Sequence, residues 1–247
     1  MALRDEIIAY ADELLDVAAY PDYGPMGLQV VGTPKVVKIA CGVSASRELF
    51  ERAAASGAQL LIVHHGLFWD RDSRVVDRTM RSRLEALFAA DLTLAAYHLA
   101  LDAHPEVGNN ALLARELGVL PETRFADVGL GGPLEAPCSF DEFVERVEAR
   151  LGRAPLAFPC GPAEIRRAAI CSGGAARYLA EAAAAGYDCY VTGEPSEPSM
   201  AVAKEAGVHF VAAGHYATET FGVRALAAVL ADRFGLDWEF IDLPNPV

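Results

Sequence analysis

Gln59-Leu60-Leu61-Ile62-Val63-His64-His65-Gly66 places four consecutive apolar side chains before two histidines and a glycine. An apolar run of this length predicts a strand buried on both faces, as in a parallel sheet covered by helices. Gly66 then lets the chain turn. Open α/β sheets collect ligands beyond the carboxyl ends of their strands, so His64 and His65 fall where such a fold does its chemistry. A strand points neighbouring side chains to opposite faces, but a turn can splay them around one site. A lone histidine there reads first as a packed, hydrogen-bonded side chain. An adjacent pair of imidazoles, the commonest metal ligand, reads as a metal-binding candidate.

The pattern continues on both sides of this stretch. Leu3, Ile7, Ala11, Leu14, Leu15 and Ala18 form one stripe of an amphipathic helix over residues 3–18. A Pro/Gly loop follows, then strands over 28–31 and 36–43. Ser44 is placed to cap a helix running to about Ser56, with Gly57 closing it. After His65 come a helix over 81–89, a strand over 92–97 and a helix over 109–117 closed by Gly118. Gly129 to Pro137 is rich in Gly and Pro and reads as a linker. The order then restarts. Ser139 caps a helix over 140–151, 165–171 is strand-like, 175–185 is helical up to Gly186, and 187–192 is a strand.

The second half repeats the first. Residues 39–65 align with 168–194 at a constant offset of 129, which sets Gly57 on Gly186 and the His64-His65 pair on Gly193-Glu194. Residues 92–102 resemble 208–219 at an offset of 117, which pairs His98 with His215 and Asp102 with Glu219. The difference of 12 residues is extra loop between Gly66 and Leu92. Ala-rich helices mimic repeats by chance, but a His-x-x-x-acid motif recurring after equivalent strands does not arise so easily. The expectation is an α/β fold of two similar three-layer lobes forming an internal repeat, with strand ends meeting at a metal site in the cleft between them. The lobes are drawn as 1–128 and 129–247, with residues 220–247 a candidate to pack back on the first.

His64, His65, His98, Asp102, His215 and Glu219 are therefore the candidate ligands. On a helix starting after Gly214, His215 and Glu219 share a face at roughly 6 Å between Cβ atoms. Thiolates are missing from the set, which disfavours a closed structural zinc site and favours an ion with open positions. Six donors exceed the needs of one ion. Two divalent metals about 3.5–4 Å apart, bridged by Glu219 or Asp102, fit the count. Each residue also has an ordinary reading: Glu219 as a solvated helix residue, Asp102 as a cap, His98 as a packed histidine beside the ligands. Glu194, in Tyr190-Val191-Thr192-Gly193-Glu194, is a candidate general base at the same place, and equally a turn residue. Cys171-Ser172-Gly173-Gly174 reads weakly as an anion cradle and as well as a tight strand–helix turn.

Composition narrows the class. A content of 53% hydrophobic residues in 247 supports a large core, and 21 basic against 34 acidic residues gives a net charge of −13. That balance argues against direct nucleic-acid binding, which needs clustered cations. Five cysteines without a Cys-x-x-Cys favour a reduced, cytoplasmic setting, as does the lack of a leader-like start. No uncharged run approaches membrane-spanning length.

Several segments resemble one known family. They are Gly27-Leu28-Gln29-Val30, Gly42-Val43-Ser44-Ala45-Ser46, Val63-His64-His65-Gly66-Leu67-Phe68-Trp69 and the run from His98 through Asp102 to Pro105. Thr192-Gly193-Glu194, Ala213-Gly214-His215-Tyr216-Ala217-Thr218-Glu219 and the run from Phe240 to Pro246 complete the set. Together they are similar to the NIF-three-like (DUF34) group, whose bacterial YbgI-like branch is labelled GTP cyclohydrolase I type 2 homologue. The likeness runs nearly end to end. It implies two interlinked α/β lobes and a dinuclear centre with ligands His64, His65, Asp102, His215 and Glu219, leaving His98 outside the ligands. It also implies a ring-shaped homohexamer. The ions that suit such ligands are zinc, iron, manganese or nickel. The function expected is a metal-dependent hydrolase acting on a nucleotide-like or phosphorylated small molecule, with the cyclohydrolase label taken as a name. The alternative is a non-catalytic metal-binding, metal-delivery or assembly protein.

Overall fold

The computed structural model describes residues 1–247. In chain order the early elements are β1 (Ala2–Leu3), α1 (Arg4–Leu14), β2 (Gly27–Val30), β3 (Lys35–Val36), β4 (Lys38–Ser44), α2 (Arg47–Ala55), β5 (Leu60–His65), α3 (Arg78–Ala89), β6 (Thr93–Ala96) and α4 (Leu99–Ala103). Then come α5 (Asn109–Leu117), β7 (Thr123–Phe125), β8 (Gly129–Cys138), α6 (Phe140–Leu151), β9 (Leu156–Phe158), β10 (Ile165–Cys171), α7 (Leu179–Ala184) and β11 (Cys189–Thr192). The chain finishes with α8 (Ser199–Ala206), β12 (His209–Ala212), α9 (His215–Thr218), α10 (Thr220–Phe234) and β13 (Asp237–Phe240). Two compact units result, 1–101 with 222–243 and 102–221 with 244–247. No helix is long and apolar enough to cross a membrane.

In the first unit the main sheet runs β13-β4-β5-β6-β2. β13, β4, β5 and β6 are parallel and β2 is an antiparallel edge. Leu60 to His64 are all buried, as the unbroken apolar run requires. On one face Ala40, Leu61, Val63, Leu94 and Ala96 pack with Leu49, Phe50 and Ala53 of α2 and Leu87 of α3. The alternate positions Ile39, Cys41, Leu60, Ile62 and Ala95 are buried too, as are Ile7, Ile8 and Ala11 of α1 and Val223, Leu226 and Leu230 of α10. Tyr10 of α1 meets Phe234 of α10 edge-on, ring centroids 5.8 Å apart.

The second unit holds the sheet β7-β8-β10-β11-β12-β9, with β10, β11 and β12 parallel and β8 and β9 antiparallel beside them. Strand parity sorts its core into two clusters. Ala168, Ile170, Cys189 and Val191 face Leu113 and Leu117 of α5 and Phe143 and Val147 of α6. Ala169, Cys171, Tyr190 and Phe210 face Leu179 and Ala182 of α7 and Ala203 of α8. Helices thus cover both faces of one sheet, which makes three layers.

Each unit also uses one order, α1-β2-β4-α2-β5-α3-β6 in the first and α6-β9-β10-α7-β11-α8-β12 in the second. Leu60 lies opposite Ile39 and Thr93, and Cys189 opposite Ala168 and His209. The first two strands keep the offset of 129, but the third runs at 116, from Thr93 to His209. The 117 spacing of the two His-x-x-x-acid motifs therefore starts beyond the strands, where the second unit has one more residue before its histidine.

Several expected boundaries move for local reasons. The supposed linker at Gly129–Pro137 is the strand β8, paired with β10. Its glycines reflect crowding rather than slack: a Cβ on Gly131 would meet the Tyr187 hydroxyl at 2.2 Å, and one on Gly132 the Leu120 carbonyl at 1.8 Å. Ser46, not Ser44, caps α2, accepting from the Leu49 N–H. The strand expected over 36–43 breaks at Val37, whose N–H donates to the Gln59 side chain. α1 stops at Leu14, two residues before Asp16 turns left-handed (φ 49°). Residues 176–178 form a 3₁₀ turn before α7. The helix over 140–151 stands as expected, with a full capping box between Ser139 and Glu142.

Candidate metal centre

In the first unit the carboxyl end of β5 gathers imidazoles. His64, His65 and His98 each offer a ring nitrogen, and these atoms lie within 4.8 Å of one another. Ring centroids are 4.7 Å apart for His64–His65, 4.9 Å for His64–His98 and 5.3 Å for His65–His98. His64 is fully buried. Its Nδ1 lies 2.9 Å from the Tyr97 carbonyl, which only accepts, so Nδ1 carries the proton and Nε2 is the ring nitrogen that could hold a metal. Tyr97 is anchored in turn, its hydroxyl donating to Asp12 at 2.9 Å. The turn after the histidines is held by Gln29, whose Oε1 accepts from the Leu67 N–H. Trp69 stands edge-on to His98 at 5.2 Å. A cavity of about 10 Å³, room for about one water, lies among His64, His98, Trp69, Asp22 and Gln29.

Asp22 is a site residue that the sequence reading missed. His98 Nδ1 donates to its Oδ1 at 2.8 Å, and the Leu99 N–H to its Oδ2 at 2.9 Å. Burial works against the ionised carboxyl, but these donors and the Tyr23 N–H outweigh it and hold Asp22 below the usual carboxylate range. Its only signal in sequence is a Pro-Asp step in a loop, which is common to many turns.

In the second unit carboxylates surround a single histidine. His215 opens α9 just past β12 and sits between two of them. Nδ1 is held by Glu194, and Nε2 lies 3.1 Å from Glu219 Oε1. Glu219 is almost fully buried. Burial disfavours the charged imidazole, yet Glu219 and Glu194 prevail and push His215 up to about 9. Asp102 is buried as well. Its Oδ1 accepts from Asn109 Nδ2 at 2.8 Å and from Ser172 Oγ at 3.3 Å. The next residue, Gly173, lies against the other carboxylate: a Cβ there would fall 2.2 Å from Glu219 Oε1 and 3.1 Å from His215 Nε2. The weak anion-cradle reading of this turn fails, because the Ser172 N–H donates to Asn110 and the Gly173 N–H to Thr218. No sequence motif marks Asn109 and Ser172, which lie 7 and 70 positions from Asp102.

The donors fit a divalent ion: imidazole and carboxylate without thiolate, and a glycine where a side chain would fill the space. The cysteines are all free thiols, with Cys41, Cys171 and Cys189 buried.

Comparison with known proteins places this architecture. The family model for Duf34/NIF3 (NGG1p interacting factor 3) matches residues 2–246, and the chain belongs to that family. A Pseudomonas aeruginosa relative named GTP cyclohydrolase 1 type 2 homolog is 45% identical over 245 residues, covering 97% of each chain. Among solved structures, the ybgI protein described as of unknown function matches with a TM-score of 0.97 at 44% identity, over 100% of both chains. A second solved protein, TTHA1606 from Thermus thermophilus, matches with a TM-score of 0.93 at 38% identity, again over 100% of both.

Proposed function

We propose that the protein is a metal-dependent hydrolase acting on a nucleotide-like or phosphorylated small molecule. In this reading His64, His65, Asp102, His215 and Glu219 hold two divalent ions, the two units derive from an internal repeat, and copies assemble into a homohexamer. The observation that carries the reading is His215 between Glu194 and Glu219. One imidazole faces two carboxylates, so the group calls for positive charge, and a bound cation would supply what the proton on Nε2 supplies without it. When bound, a metal pair lowers the pKa of water and stabilises an anionic transition state.

The chain's own residues then have separable tasks. Glu194 orients the His215 ring through Nδ1, as the Tyr97 carbonyl orients His64. Asn109 and Ser172 both bind Asp102 Oδ1, which fixes how that carboxylate presents its other oxygen. Asp22 holds His98 beside His64 and His65.

Elemental analysis of the purified protein, with a turnover screen on nucleotides and phosphoesters, tests the proposal. GTP heads the panel because of the relatives' name. Bound metal and activity, both lost in His64→Ala and Glu219→Ala, are expected. Equal activity in the variants, or no metal in the wild type, would end the reading.

A further inference from the structure

The turn between α6 and β9 carries a charge that the centre above does not use. Gly152 closes α6 in the left-handed conformation (φ 69°), and Arg153 follows, three residues before β9. β9 pairs antiparallel with β12, Leu156 opposite Ala212. This register holds Arg153 beside the end of β12, where Gly214 and His215 come next. The approach is close. A Cβ on Gly214 would fall 2.4 Å from Arg153 Nη1 and 2.9 Å from its Cδ and Cζ. Gly214 also has φ 103°, so both its backbone and this guanidinium demand glycine.

Neighbouring arginines are spoken for. Arg146 donates to the Leu117 carbonyl, Arg150 pairs with Glu116, Arg166 with Glu164 and Arg167 with Glu122. Arg153 is half-buried and has neither an ion pair nor a hydrogen-bond acceptor in the fold. A guanidinium presents five donors in a rigid fork, and partial burial strips water from them without return unless an acceptor arrives. In a chain of net charge −13, carboxylates that could have neutralised it are plentiful.

We infer that Arg153 binds the oxyanion, phosphoryl or carboxylate, of the small molecule handled at the His215–Glu219 centre. The inference rests on the metal-centre reading above. The planar fork suits two-point binding of either group, which lysine does not reproduce.

The test uses full-length, metal-loaded wild type, Arg153→Gln and Arg153→Lys. Calorimetry with inorganic phosphate and, separately, acetate reads anion affinity and says which group is preferred. Metal content and melting midpoint are measured on the same samples. Wild type is expected to bind at least one anion, Arg153→Gln to bind it at least about tenfold more weakly, the order set by losing charge-assisted hydrogen bonds, and Arg153→Lys to fall between. Metal content should be equal in all three. Equal anion affinity in wild type and Arg153→Gln overturns the assignment, as does a wild type that binds neither anion at millimolar concentration. So does a loss in Arg153→Gln matched by loss of metal and a lowered melting midpoint, provided the lysine variant, which keeps charge and stem, behaves the same way. If wild type holds no metal yet binds phosphate through Arg153, the metal-centre reading fails and the arginine's role stands.

Discussion

The two units end equivalent strands with opposite chemistries. β5 and the turn after β6 in the first unit supply three imidazoles and, behind His98, one carboxylate. β11 and the turn after β12 in the second supply one imidazole between two carboxylates, with a third at Asp102. One device is shared: a carboxylate on Nδ1, Asp22 for His98 and Glu194 for His215, fixes which ring nitrogen faces outward. The remainder differs in charge. Neutral imidazoles can be gathered without a counter-ion, whereas clustered carboxylates repel one another unless a proton or cation lies among them. Only the second group thus sets like charges against one another.

The largest effect should come from the carboxylate side. Glu219→Ala is expected to lower metal affinity more than about 100-fold, and His98→Ala less than about tenfold, by titration with a competing chelator. This order follows if, as proposed, Glu219 is a ligand and His98 only a neighbour of ligands. Equal losses would erase the distinction between the units.

Gly173→Ala should come next. It places a Cβ 2.2 Å from Glu219 Oε1 at a backbone φ of 66°. A cost of about 1–3 kcal/mol in stability is expected from the left-handed conformation, with weakened metal binding besides. Denaturant melts of loaded and stripped protein separate the two.

The third test is pH. In metal-free protein His215 should titrate near 9, read by the ring proton shift in NMR. Since that value lies above the ordinary 6.5, the imidazolium's contribution to stability is fully present below pH 6.5 and is lost as pH rises through about 9. The proton must leave before an ion takes Nε2, so apparent metal affinity should climb about tenfold per pH unit up to about 9. Glu194→Gln should lower the midpoint. An unchanged midpoint would show that Glu194 adds nothing to the charge demand.

The smallest effect concerns thiols. Burial pushes Cys41 up to about 12, and Cys171 and Cys189 also well above the ordinary thiol value. Iodoacetamide on folded protein should label only the half-buried Cys138 and Cys160. Stripping metal should expose Cys171, next to Ser172, before Cys41. The reverse order would mean that the imidazole side loosens first.

Much of this was legible in sequence because the signals were local. The apolar run of β5, the capping box at Ser139 and the bounds of β10 follow from residues adjacent in the chain. Strand ends group His64, His65 and His98, and i,i+4 spacing groups His215 with Glu219. What escaped was set at a distance. The glycines of β8 serve Tyr187 and Leu120, so a crowded strand looked like a linker. Asp22 finds its partner 76 residues away, and the segment 220–247, expected only to pack back on the first lobe, does so by pairing β13 with β4 across most of the chain. Composition and period carry no trace of such pairings.

That late strand sets when the first unit's sheet can be completed during synthesis. A ribosome that has made residue 101 has supplied β4, β5 and β6, yet the slot beside β4 stays open until residues 237–240 emerge. Throughout translation of the intervening stretch, a parallel edge bearing Ile39 and Cys41 waits unpartnered. A nascent chain halted there, or one cut before Asp237, should draw chaperones or stick to its own kind, so a clean amino-terminal fragment is a poor reagent for studying the histidine group in isolation.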